Sequence, residues 1–247
     1  VFPERTYAKV YIGGTDNFRY NVAKQRPYKG QRKQDKPTYY HDIRLHLVSR
    51  YGAEVINGEE ADDAVGKWQW KHSDKSTCIV GQDKDLKTIP GLHYWWKTKE
   101  LEYINLTDAN NHFLHQMLTG DPSDNIPGVP KVGKTTADRI FQECGFDTAK
   151  ILLRVEREYQ KAYGRGWRDV MDEMGTLLHI RREDGKVWQD FIYKGERHGS
   201  ASKQVETEAT VEGSDHVPVG TEGRGDKVAG SEGDGTGSAV GGCDSSS

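Results

Sequence analysis

Eight acidic side chains occur in four places along the chain: Asp16; Glu60, Asp62 and Asp63; Asp83 and Asp85; Asp121 and Asp124. The first three groups each follow a short apolar run that reads as a strand, and the fourth follows a helix. The carboxyl ends of strands are where α/β folds place their chemistry. Glu60 and Asp63 are three residues apart at the start of a helix and share a face, while Asp62 points elsewhere. Asp121 and Asp124 have the same spacing. Any one pair is explained equally well by the attraction of helix starts for acids. All four together raise a different question, because carboxylates brought close repel and are costly to bury unpaired. Divalent cations resolve that cost, and an oxygen-only donor set favours Mg²⁺. Two such ions about 4 Å apart can activate a water and stabilise the leaving oxygen of a phosphodiester. The histidines have no ligand spacing. Cys78, Cys144 and Cys243 are isolated, so neither zinc nor a disulfide framework is expected, and a reducing cytoplasm is the default location.

A basic segment stands opposite the acids. Between residues 19 and 36, Lys/Arg at 19, 24, 26, 29, 32, 33 and 36 face a single acid, Asp35. Tyr20 and Tyr28 lie among them, and interleaved rings and cations suit single-stranded nucleic acid. Composition alone fits a solvated basic loop equally well. The nearby acids favour the functional reading, because an acidic metal site needs cations to attract phosphate. The six tryptophans read as core or half-core residues rather than base platforms.

The stretch Gly128-Val-Pro-Lys-Val-Gly133-Lys134-Thr135 fits the P-loop pattern G-x-x-x-x-G-K-[ST]. A P-loop requires a buried strand directly before its first glycine. Here "GDPSDNIP" precedes it, with two prolines that a central strand excludes. The alternative is helix, tight glycine turn, helix. In that reading the N–H groups around Val132, Gly133 and Lys134 cradle one phosphate of a nucleic-acid backbone, and no nucleotide cofactor is expected.

The elements that position these groups alternate in the first half. Strands are expected at 7–12, 53–56, 76–80 and 92–96, and helices at 38–51, with Gly52 as C-cap, and from the acidic group to Trp70. This pattern predicts an α/β fold with a mostly parallel central sheet flanked by helices. From residue 107 the pattern turns helical: Thr107 as a cap, a helix through Leu118, another at 134–144, and two more marked by Ile151–Tyr159 and Trp167–Leu178. The expected divisions are an α/β lobe at 1–106 and a helical lobe at 107–193. The remainder, 194–247, has ten Asp/Glu against five Lys/Arg, is rich in Gly and Ser, and has no aromatic residue. Such a segment is expected to be disordered. With 34% hydrophobic and 30% charged residues, the chain has no apolar run of the roughly 18 residues that span a membrane.

Five ordered pieces, "TDNFR", "YKGQR", "EEADD", "GQDKDLKTI" and "GDPSDNIPGVPKVGKTTA", resemble the 5′ nuclease superfamily of flap endonucleases and polymerase 5′-nuclease domains, and within it the bacteriophage 5′-to-3′ exonucleases. The resemblance runs from about Lys9 to about Trp188. It implies a PIN-like core and a helix-hairpin-helix (helix-three-turn-helix) at 118–141. It implies a two-metal 5′-3′ exonuclease or flap endonuclease, with Mg²⁺ as cofactor and Mn²⁺ as a substitute. The partner implied is DNA with a 5′ end, nick or flap, and RNA–DNA hybrids remain open. Carried over by position, Asp16, Glu60, Asp62 and Asp63 lie towards one ion, Asp121 and Asp124 towards the other, and Asp83 and Asp85 between. Lys29 and Arg32 match the basic residues that steer the scissile phosphate. Arg19, Tyr28, Lys29, Arg32, Lys131, Gly133, Lys134 and Thr135 are the expected DNA contacts. Members begin with a strand ending in one more ligand Asp, which the residues before Tyr7 do not supply. The chain is therefore expected to be N-terminally incomplete, and a weaker nuclease than an extended form.

Overall fold

The computed structural model describes residues 8–32, 35–72 and 77–193, all within one compact unit, Val1–Val205. The expected disordered tail at 194–247 lies outside the described residues, as do the outer ends of two expected strands, at Tyr7 and Ser76.

The first half alternates as its pattern predicts. It runs β1 (Tyr11–Gly13), α1 (Arg19–Val22), α2 (Tyr40–Tyr51), β2 (Glu54–Ile56), α3 (Ala61–Lys71), β3 (Cys78–Gly81), a 3-10 turn (Lys84–Thr88), β4 (Gly91–Trp95) and β5 (Glu100–Ile104). Gly52 ends α2 in the left-handed region, φ 63°, and its N–H donates to the carbonyls of Leu47 and Val48. β1 pairs parallel with β2, Tyr11 opposite Glu54. β3 pairs parallel with β4, and β4 antiparallel with β5. The described strands therefore form two sheets, of two and three strands, rather than the one central sheet expected. β1 and β2 are only three residues long, which limits them to one short ladder. β5 was not visible in the sequence. "ELEYI" alternates, but no Gly or Asn turn signal precedes it; Lys99 takes the left-handed turn position instead, φ 61°.

The second half is α4 (Leu106–Thr119), α5 (Lys134–Glu143), α6 (Thr148–Tyr163), a 3-10 turn (Gly164–Gly166), α7 (Trp167–Leu178) and α8 (Trp188–Ile192). The N-cap of α4 is Asn105, whose side chain accepts from the Asp108 N–H, so Thr107 lies inside the helix. Phe113, Leu114, Met117 and Leu118 of α4 pack with Ile151, Val155 and Tyr159 of α6 and Met171 and Met174 of α7. The Tyr159 hydroxyl, buried in that core, donates to the Met117 carbonyl. A second core joins Ile79, Trp95 and Ile104 of the sheet and Leu86 and Ile89 at the 3-10 turn to Ala109 and Ile180.

Gly120 and Gly128 bracket the turn between α4 and α5. Asp121 and Ile126 exchange both backbone hydrogen bonds, each at 2.9 Å. The Val129 N–H then returns to the Leu118 carbonyl. This brings the two glycines face to face. A Cβ on Gly128 would overlap the Gly120 nitrogen and the Leu118 carbonyl. Gly128→Ala is therefore expected to cost about 2 kcal/mol and to lower the thermal midpoint by roughly 5 °C. Gly133→Ala, at an ordinary φ of −94° with open space around it, is expected to leave the midpoint unchanged. A calorimetric scan of both variants decides this.

Candidate active site

Residues following β2, β3 and α4 meet in one pocket. Glu60, Asp62, Asp83, Asp85, Asp121 and Asp124 line it together with Arg19, Tyr28, Lys29, Arg32, Gln116 and Ser123. Six of the eight acids singled out by spacing are thus brought together from three chain segments. Glu60 is the N-cap of α3, Asp83 caps the 3-10 turn by accepting from the Asp85 N–H at 3.0 Å, and Asp121 and Asp124 sit on the turn after α4. The last pair share that turn rather than a helix face. The same turn occupies the chain before Gly128, so no strand precedes the P-loop-like stretch.

Cations and hydroxyls hold the acids. The Lys29 ammonium contacts Glu60 and lies 3.6 Å from Asp124. Arg32 donates to Asp124 Oδ1 at 2.6 Å, and Tyr28 Oη donates to Asp124 Oδ2 at 2.8 Å. Lys84 lies 3.3 Å from Asp85 and 3.5 Å from Asp121. Ser123 Oγ donates to Asp121 at 2.8 Å, and Gln116 Nε2 to Asp85 Oδ1 at 2.6 Å. The Asp62 carboxylate makes no hydrogen bond or ion pair among the described residues. Nor, among them, do three acids converge into a ready-made coordination sphere.

Eight expected site residues stand outside the pocket lining or do different work. Asp16 is exposed and does not line the pocket. Asp63 is fully buried and also outside the lining. Its two oxygens accept from Arg19 at 2.6 and 2.9 Å, and also from the N–H groups of Glu60 and Arg181. Arg19 is 2% exposed. Besides Asp63 it donates to the carbonyls of Leu177 and His179, so it ties α1 to the end of α7 and its hydrogen bonds are made within the fold. Tyr28 is buried against the helical core, its hydroxyl spent on Asp124 and Glu60; it is no stacking platform. Lys131, Gly133, Lys134 and Thr135 are exposed at the start of α5, away from the pocket, where no side chain caps the helix. Spacing did not single out Gln116, Ser123 or Lys84. Gln116 left a trace: it is a polar residue interrupting the apolar stripe of α4.

The charge pattern shifts the acids in opposite directions. Burial, then repulsion from Glu60, Asp83 and Asp63, pushes Asp62 up to about 6. Burial also pushes Asp85 up to about 6, with Asp121 and Asp83 adding to it against the pull of Lys84. Asp63 goes the other way: burial opposes its charge, but the bonds and charge of Arg19 together with the N–H groups of Arg181 and Glu60 hold it below the usual range. A carboxyl raised in the folded state contributes stability below its unfolded value near 4, lost as pH rises through about 6. Asp62→Asn removes that loss. In EDTA at pH 7.5 the variant is expected to be more stable than the parent by about 1 kcal/mol, a gap that closes towards pH 4. Urea unfolding at both pH values checks it, and a variant less stable at pH 7.5 contradicts it.

The chain is similar in sequence to bacterial 5′-3′ exonucleases and DNA polymerases I. The chain is 29% identical over 124 residues to a 5′-3′ exonuclease of Streptomyces coelicolor, a match covering 44% of this chain and 40% of that protein. It is 26% identical over 214 residues to DNA polymerase I of Geobacillus stearothermophilus, covering 75% of this chain and 24% of the polymerase. The chain thus spans less than half the length of these curated relatives. No family model matches it. Among solved structures, the bacteriophage T5 5′-exonuclease with bound zinc superposes with a TM-score of 0.51 at 18% identity, over 76% of this chain and 81% of that one. A T5 flap endonuclease variant in a pseudo-enzyme-product complex with DNA and metal ions gives 0.52 at 16% identity, over 78% and 84%. At these identities the structural likeness is one of fold.

Proposed function

We propose that the chain is a divalent-metal-dependent 5′-3′ exonuclease or flap endonuclease acting on DNA. The observation that carries this reading is the pocket itself, where six carboxylates from three segments share a wall with Lys29 and Arg32. Its donor set is all oxygen, which fits Mg²⁺ with Mn²⁺ as a substitute and does not fit zinc held by His or Cys. Glu60, Asp62, Asp83, Asp85, Asp121 and Asp124 would hold two ions. When bound, the ions supply an activated water and charge to stabilise the leaving oxygen. The chain's own residues do the rest. Lys29 and Arg32 exchange their carboxylate partners for the scissile phosphate and steer it to the acids. Arg32 is exposed enough at the mouth to meet it first, with 58% of its side chain accessible.

The duplex is gripped by the start of α5. Its first N–H groups lack intrahelical partners, Gly133 leaves room for a backbone, and Lys131 and Lys134 add charge. In this reading residues 118–141 work as the helix-hairpin-helix, 107–193 as the DNA-holding lobe and 1–106 as the cutting lobe.

A second reading keeps the fold but makes the chain a structure-specific DNA-binding protein that cuts poorly. The ion pairs of Lys29 and Arg32 with Glu60 and Asp124, which occupy those carboxylates, favour it. Anisotropy of a 5′-flap duplex in EDTA measures binding alone, and addition of Mg²⁺ then asks for cleavage. Stable binding without cleavage selects the second reading. ATP hydrolysis lost in Lys134→Ala would restore the P-loop reading, which the turn before Gly128 does not support.

A further inference from the structure

Among the described residues that line the acidic pocket, Gln116 is the one polar side chain with a buried group unspent. It is 5% exposed, on the core-facing side of α4, and lines the pocket beside Asp85 and Asp121. Its Nε2 donates to Asp85 Oδ1 at 2.6 Å. Its Oε1 is buried with no hydrogen-bond partner among the described residues. The amide cannot be turned over, because that would set its oxygen against a carboxylate oxygen at the same short distance. An unmatched buried acceptor costs about 1–3 kcal/mol, so the site is incomplete as it stands. The facing carboxylates only accept. The nearest ammonium, Lys84, is directed to Asp85 and Asp121. Neither these carboxylates nor Lys84 supplies the donor that Oε1 lacks. In a pocket of carboxylates, the ligand that brings donors is a hydrated divalent cation, since its bound waters offer only hydrogens.

Resting on the metal-site reading above, we propose that Gln116 is a positioning residue of the ion site nearest Asp85 and Asp121. Its amide N–H fixes Asp85 through one oxygen and leaves the other free for the ion. Its carbonyl accepts from an ion-bound water. Such outer contacts orient first-sphere ligands, and their loss typically costs 10–100-fold in metal affinity.

The test is a Mn²⁺ titration of the full chain, followed by electron paramagnetic resonance, with thermal unfolding in EDTA alongside. Gln116→Met keeps the volume and removes both polar atoms. It is expected to weaken the weaker bound Mn²⁺ by about tenfold, while the midpoint in EDTA stays level or rises. Gln116→Asn keeps the amide one methylene short of its partners and is expected to weaken the same site, which keeps the test decisive if the Met variant does not fold. A parent chain that binds Mn²⁺ and variants that bind it equally well overturn the inference and leave the metal reading standing. So does a lower midpoint in EDTA with unchanged affinity, which makes Gln116 structural only. A parent chain that binds no Mn²⁺ overturns both.

Discussion

Asp83→Ala lowers Mg²⁺-dependent cleavage of a 5′-flap duplex by about 10³-fold or more, with DNA binding in EDTA held within about twofold. The magnitude follows from removing one ligand of a two-ion centre, where a loss of about 4 kcal/mol of transition-state stabilisation is a thousandfold in rate. The selectivity follows from what Asp83 does otherwise. It is exposed, and among the described residues its side chain makes one hydrogen bond, accepting from the Asp85 N–H, so its removal costs the fold about 1 kcal/mol. It lies on a different chain segment from the start of α5. Cleavage at the parent rate would remove Asp83 from the metal site.

Asp63→Ala has an effect of similar size on a different quantity. It lies next to Asp62 in sequence and shares its charge, yet it serves the fold. Its loss strips Arg19 of its only buried counter-ion in bidentate contact and leaves the Glu60 and Arg181 N–H groups unmatched. Breaking a buried pair from one side costs about 3–5 kcal/mol. The variant is expected to lose that much in urea unfolding. Asp63→Leu with Arg19→Met, which removes both charges, is expected to recover a substantial part, because neither partner is then left buried and alone. An Asp63→Ala chain as stable as the parent, but unable to bind Mn²⁺, would return Asp63 to the metal set.

This pair of neighbours also marks how far the sequence could be read. Period and capping located most elements, because an amphipathic helix such as α6 and a left-handed glycine such as Gly52 announce themselves locally. The gathering of acids after strands and after α4 was legible for the same reason: chain order and strand ends fix which loops meet. The division of labour among those acids was not. Glu60, Asp62 and Asp63 form one run in sequence. Whether a given one faces the pocket or Arg19 depends on a helix rotation and on a partner 44 residues away. Arg19 and Tyr28 looked like DNA contacts because basic and aromatic residues surround them. Both are instead drawn inward, Arg19 by Asp63 and the α7 carbonyls and Tyr28 by the helical core. Neither pull leaves a local pattern. β5 was hidden because its alternation is short and its turn uses Lys99 rather than glycine. Gln116 does not stand out, because α4 also buries Asn110 and Asn111 and a polar residue in an apolar stripe is usually a satisfied core amide.

The most direct measurement starts from a duplex carrying a 5′-labelled flap, incubated with the chain and Mg²⁺ and then with a DNA ligase. The expected result is release of the labelled flap, dependent on Mg²⁺ and stopped by EDTA, leaving a 5′-phosphate that the ligase seals. A labelled strand that stays whole while the chain demonstrably binds both Mn²⁺ and the duplex would contradict it.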